Sequence, residues 1–192
     1  MKAKKSKLLS LVLTAAMFVS GFSGVGGQTT VRAAEGDRIF DLVEITDFHG
    51  TLLDSSNNQV AAVLANRVKN VESQNPNTIV IGGGDLYQGS AISNMLKGVP
   101  VKDFLNNIAM VTTALGNHEF DWGLDTIANT MRDAKYNIIC ANLYNKNADG
   151  SNGTRVFDPY KIVEKDGVRI AFCWSYYKRN SYDSHAGLCG EV

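Results

Sequence analysis

Apolar and polar positions along this chain alternate between a strand period and a helix period. Arg38 to Thr46 (RIFDLVEIT) is rich in β-branched and apolar residues and predicts a strand running into the loop DFHG. Val60, Val63, Leu64, Val68 and Val71 then recur at helical spacing from about Asn57 to Glu72, and Pro76 closes the segment. Thr78 to Ile81 is a short, near-continuously hydrophobic run before three glycines, as suits a parallel strand covered on both faces. Two short helices are predicted at about Ala91 to Leu96 and Val101 to Ile108, followed by a strand from Met110 to Leu115, a helix from Leu124 to Ala134 and a strand from Tyr136 to Ala141. Asn145 to Gly153 reads as a polar loop, and Tyr160 to Glu164 with Val168 to Phe172 as a hairpin around Asp166-Gly167. Strands alternating with helices predict an α/β fold, a parallel-rich sheet with flanking helices and right-handed crossovers. In such sheets ligands gather at the carboxyl ends of the strands.

Charge changes the picture at the amino terminus. The chain carries 19 Lys and Arg against 19 Asp and Glu, but Lys2, Lys4, Lys5, Lys7 and Arg32 all lie in residues 1 to 33, which hold no acid. A basic start, an apolar stretch from Leu8 to Val19 and Val31-Arg32-Ala33 before the cleavage point predict a secretory signal peptide over 1–33, and a secreted or cell-envelope product. The apolar run falls short of the ~18 to 20 residues that span a bilayer, so no stable membrane span is expected. Without the leader the net charge is −5, which argues against nucleic acid as a partner and for a small ligand. The spacing of Cys140, Cys173 and Cys189 matches no short zinc-ligand pair, and Cys140 reads as a buried small hydrophobe.

Unusual polar residues fall at three predicted strand ends. The first holds Asp47 and His49, which an extended backbone would point to the same face. The second holds Asp85 behind Gly82-Gly83-Gly84, where the missing Cβ atoms allow a sharp turn and close approach to an ion or phosphate. Gly116-Asn117-His118-Glu119 forms the third. Taken singly, Asp-x-His is a common accident, Gly-Asp a turn and Asn a helix cap. Each separation fits one crossover, however, so the three ends can converge, and this mixture of oxygen and imidazole donors suits Mn²⁺, Zn²⁺, Co²⁺ or Mg²⁺.

The segments ITDFHG (Ile45 to Gly50), GGGDLYQGS (Gly82 to Ser90) and ALGNHEFDWG (Ala114 to Gly123) resemble the calcineurin-like metallophosphoesterases. Within them the likeness is to the exported bacterial group of 5'-nucleotidases, UDP-sugar hydrolases and 2',3'-cyclic-nucleotide phosphodiesterases, and it runs from about Arg38 to Phe172. The resemblance implies the first half of an αββα sandwich and two divalent metal ions. Asp47 and His49 would bind one ion, Asp85 would bridge both, and Asn117 would bind the second through its amide oxygen. A hydroxide held between the ions would attack the phosphorus of a small phosphate ester, a nucleotide in this group. His118 would stabilise the developing charge, and Asp121 would orient His118. Glu119 is given no role, and Phe120 and Trp122 read as packing residues.

Relatives of this kind complete the site with later histidines, whereas after Phe172 this sequence has His185 alone. The expected organisation is a leader over 1–33, part of a metallophosphoesterase domain over 34–172 and an atypical tail over 173–192. The tail shows no clear period, and a one-base change of reading frame at Cys173-Trp174 would turn Phe172 to Ser181 into an apolar strand and turn. Two expectations follow: a secreted two-metal phosphoesterase, or an inactive fragment of one that binds metal weakly.

Overall fold

Right-handed crossovers between neighbouring strands dictate how this chain is layered. The computed structural model describes residues 37–176; the expected leader and residues 177–192 of the expected tail lie outside the described residues. Strands β1 (Leu42–Ile45), β2 (Ile79–Gly82), β3 (Thr112–Ala114) and β4 (Asn137–Ile139) pair in parallel in their sequence order. The connections carry α1 (Val60–Gln74), then α2 (Ala91–Met95) with α3 (Val99–Asn107), then α4 (Leu124–Thr130). A sheet extended always in one direction by right-handed crossovers receives all its helices on one face.

Side-chain alternation along the strands follows from that layering. Ile45, Val80, Ile138 and Cys140 join the helix-face core with Val68 of α1, Val101 and Leu105 of α3 and Ile127 of α4. Ile79, Ile81, Ala114 and Ile139 point the other way, toward Phe172, Trp174, Val163 and Ile170. These belong to or adjoin the antiparallel hairpin β7 (Tyr160–Lys165) and β8 (Val168–Cys173), whose turn places Asp166 and Gly167 at positive φ as a two-residue hairpin requires. Cys140 is buried and free, as expected.

Several boundaries differ from the predicted ones. Helix α3 starts at Val99, because Pro100 sits in the first turn, where no amide hydrogen is needed. Val63, assigned by period to the inner face of α1, is more than half exposed, and Leu64, Ala61 and Ala65 pack inward instead. The expected polar loop of residues 145–153 forms part of a two-stranded ribbon, β5 (Tyr144–Lys146) with β6 (Asn152–Arg155). Polar side chains hold this ribbon, including Asn145 to Thr154 and Lys146 to Asn152, so it carries no apolar alternation to reveal it.

The described part of the expected tail begins inside the fold. Strand β8 continues through Cys173, and Trp174 is buried with its indole N–H donating to the carbonyl of Leu115 at 3.1 Å. Ala141 donates in turn to the carbonyl of Trp174, so residue 174 joins the ends of β3 and β4. Replacing Trp174 by Phe keeps much of the apolar bulk and leaves that carbonyl without its donor. The expected cost is about 1 to 2 kcal/mol, read by urea denaturation of the full chain.

Lys102 of α3 is buried along its stem and donates to Asp133 at 2.7 Å, with Asp103 at 3.2 Å. The hydrogen bond to Asp133 raises the Lys102 pKa, and Lys102 holds the Asp133 carboxyl below its ordinary value of 3.8. A carboxyl lowered on folding adds stability above that ordinary value and loses it as pH falls through its folded value. Asp133→Asn is therefore expected to be less stable than the parent at pH 6, with the difference closing as pH falls through the lowered Asp133 pKa, in parallel denaturation curves.

Candidate functional site

The site is assembled by loops that continue the β1–β2 pairing after the strands end. Asp47 donates its backbone N–H to Gly84, His49 to Asp85 and Gly50 to Leu86, at 3.1, 3.0 and 2.9 Å. This zipper brings the first loop alongside the second. Asp47, His49 and Asp85 all take positive φ (52°, 49° and 53°), a region that costs a residue with a side chain about 1 to 3 kcal/mol. The extended backbone expected for Asp47 and His49 is therefore incorrect. They approach one another through the left-handed turn, with Asp47 Oδ1 4.0 Å from His49 Nε2.

Three of the predicted side chains form one cluster. One ligating atom each from His49, Asp85 and His118 lies within 4.8 Å of the other two, and the two imidazole rings meet edge to face at 4.9 Å between centroids. His118 also donates its backbone N–H to Asp85 Oδ1 at 2.9 Å, joining the second and third loops. Asp121 reaches His118 Nδ1 at 2.8 Å, the pairing expected of them. That hydrogen bond is the main cause of a raised His118 pKa; partial burial opposes it, and the Asp85, Asp121 and Glu119 charges add to it. Asp47 stays outside the three-residue cluster, exposed, with Thr46 donating to its Oδ2 at 2.6 Å. Asn117 precedes the 3₁₀ turn His118–Phe120, and its side chain makes no capping hydrogen bond, so the helix-cap reading of this residue does not hold.

Glu119 is the residue whose role the sequence did not disclose. It is almost fully buried, and its carboxylate accepts backbone N–H groups from Asp85 (3.0 Å), Leu86 (2.9 Å) and Gly116 (2.7 Å). Burial pushes its carboxyl above the ordinary range, and the three donors pull it back. Gly116 must be glycine for this to close, because a Cβ there would stand 2.2 Å from Asp85 Oδ1 and 2.4 Å from Asp85 N. The only signal in the sequence was an acid beside a metal-type loop, and such an acid is usually solvated. Phe120 and Trp122 are part-buried against the helix-face core, as expected of packing residues.

A family profile described as calcineurin-like phosphoesterase matches residues 40–187. The chain belongs to that family. Among curated phosphoesterases of this type, the 5'-nucleotidase of Vibrio cholerae is 28% identical over 177 residues, covering 88% of this chain and 31% of the relative. Snake venom 5'-nucleotidase of Naja atra is 34% identical over 107 residues, or 55% of this chain and 20% of that protein. The chain thus spans about a third or less of the length of these relatives. Among solved structures, the 5'-nucleotidase precursor of Thermus thermophilus aligns with TM-score 0.57 and 27% identity over 70% of this chain and 28% of that one. The calcineurin-like phosphoesterase YfkN of Bacillus subtilis aligns with TM-score 0.54 and 26% identity over 69% of this chain and 46% of its own. The α/β architecture expected from the sequence is thereby placed among metallophosphatase folds.

Membership in the calcineurin-like phosphoesterases implies divalent metal ions, and the donors present fit them. His49 Nδ1 lies 3.0 Å from the carbonyl of Gln88 and His118 Nδ1 lies against Asp121, so each ring keeps its proton on Nδ1 and leaves Nε2 as the lone-pair nitrogen of the neutral form. With Asp85 this gives two nitrogen donors and a carboxylate, a set suited to Zn²⁺, Mn²⁺ or Co²⁺.

Glu119→Gln puts an amide NH₂ among three backbone donors and leaves some of them unpaired. We expect a loss of about 2 to 4 kcal/mol in chemical denaturation of the metal-free chain, together with weaker Mn²⁺ binding by electron paramagnetic resonance.

Proposed function

We propose that this chain carries the first metal-binding loops and the proton donor of an exported phosphate-ester hydrolase acting on nucleotides. The observation that carries the reading is the convergence, on one sheet end, of loops widely separated along the chain: Asp47 and His49, Asp85, and Asn117 with His118. The names of the relatives support a nucleotide substrate, and the basic-apolar leader supports export.

In this reading Asp47 and His49 hold one ion, Asp85 contributes to two, and Asn117 offers its amide oxygen to the second. Bound ions of this kind polarise phosphoryl oxygens and make water acidic enough to attack at neutral pH. The chain's own residues position and donate. Gln88 and Asp121 fix the two imidazole rings, and the Glu119 carboxylate fixes the loop carrying Asp85. His118, favoured in its protonated form by Asp121, presents Nε2–H toward the leaving oxygen or a phosphoryl oxygen and stabilises the negative charge that develops there.

The test is release of p-nitrophenol from its mono- and bis-phosphate esters, and of phosphate from AMP, by the full chain with added Mn²⁺. Turnover above a metal-only blank is expected. Asp85→Ala should return it to the blank, and His118→Asn should lower kcat by about 10²- to 10⁴-fold. Turnover that survives Asp85→Ala would sink the reading.

A further inference from the structure

The β5–β6 ribbon holds the one asparagine of the sequence that a glycine follows, Asn152-Gly153. The fold itself calls for that glycine. Tyr144 pairs with Arg155 and Lys146 with Asn152, so Gly153 and Thr154 of β6 together face Asn145 alone, the two-against-one arrangement of a β-bulge. A Cβ on Gly153 would stand 2.7 Å from Asn147 Oδ1 and 3.1 Å from the carbonyl oxygen of Asn145. Close packing at the bulge therefore excludes a side chain at 153, and with it the bulk that would otherwise crowd the Gly153 amide nitrogen.

We infer that Asn152 is a self-modification site, at which the Gly153 nitrogen closes on the Asn152 side chain while Lys146 polarises the carbonyl under attack. Lys146 Nζ donates to Asn152 Oδ1 at 2.8 Å. A cation there draws electron density from Cγ and stabilises the oxyanion that forms as the nitrogen adds. The new bond joins Gly153 N to Asn152 Cγ, the Cγ–Nδ2 bond breaks, and ammonia leaves with the proton that the peptide nitrogen gives up. Water then opens the cyclic imide, adding its hydroxyl to one of the two carbonyl carbons and returning a proton to the Gly153 nitrogen. Opening at Cγ leaves aspartate. Opening at the main-chain carbonyl leaves isoaspartate, with the backbone routed through the former side chain.

Attack requires Asn152 to leave its extended backbone, and the ribbon yields readily. Two strands without a packed face are marginal by themselves. The side-chain bonds that hold them, Asn145 to Thr154, Lys146 to Asn152 and Asn147 to Ser151, all join exposed residues, where water competes for each partner. Lys146 is itself exposed on a long flexible stem, so its ammonium follows the carbonyl as Asn152 turns. Every other asparagine is followed by a residue with a Cβ beside the attacking nitrogen. The two products differ in consequence: aspartate can keep Lys146 as an ion pair, whereas isoaspartate lengthens the backbone by one carbon and breaks the register of β6. Neither step draws on the hydrolytic reading above.

Incubation of the full chain at mildly alkaline pH, followed by peptide mapping with mass spectrometry, tests the assignment. Residue 152 is expected to convert ahead of every other asparagine, to a mixture of aspartate and isoaspartate, with the cyclic imide trapped by transfer to mildly acidic pH. Lys146→Met should slow the conversion about 3- to 10-fold, as for loss of one exposed charge-assisted donor, and Lys146→Arg should restore the parent rate. Mapping of the parent needs no variant, so a ribbon loosened by substitution does not obscure the site. Conversion of another asparagine ahead of Asn152, or a rate that Lys146→Met leaves unchanged or raises, overturns the inference.

Discussion

One buried carboxylate holds the ends of two strands together. Glu119 collects the amide hydrogens of Asp85, Leu86 and Gly116, so the turn after β2 and the turn after β3 share an acceptor. Backbone groups at sharp turns cannot complete a ladder, and away from water each unpaired one costs about 1 to 3 kcal/mol. A single side chain that meets three of them makes it possible to bury these turns. It also couples them, since displacing either loop would strip a charged group of its donors. The left-handed backbone at Asp85 persists because it is over-determined in this way from one side and by the zipper to residues 47–50 from the other.

The layers serve the same end. Parallel strands added in sequence order bring their carboxyl termini side by side, and crossovers of one hand keep the helices off the opposite face. The β7–β8 hairpin covers that face with Val163, Ile170 and Phe172, and Trp174 bonds the carbonyl of Leu115, the residue just before Gly116. Apolar packing of the second layer is thus connected covalently and by hydrogen bond to the loop that carries Asn117 and His118.

Much of this was legible in the residues because it depends on periodicity and on rare local combinations. The four parallel strands, the order of helices and the Asp166-Gly167 turn follow from hydrophobic spacing and turn chemistry. The meeting of the loops that carry Asp47 and His49, Asp85, and Asn117 with His118 was legible from polar residues placed after apolar runs. What escaped depends on backbone conformation and on partners distant in sequence. Nothing in DFHG signals that Asp47 and His49 are left-handed, because the cause lies in hydrogen bonds to residues 84–86. Glu119 was given no role because its three donors, Asp85, Leu86 and Gly116, come together only when the turns after β2 and β3 meet. The β5–β6 ribbon escaped for another reason, since it is held by amides, hydroxyls and a lysine and displays no apolar stripe.

The Nδ1 contacts of the two site histidines carry a consequence for rates of assembly. An imidazole free to rotate and to exchange its proton between nitrogens must sample several orientations and two tautomers before it can engage a ligand. With Gln88 and Asp121 already engaged, that search is largely complete before arrival, and the entropy of ordering the rings has been lost during folding and not at the encounter.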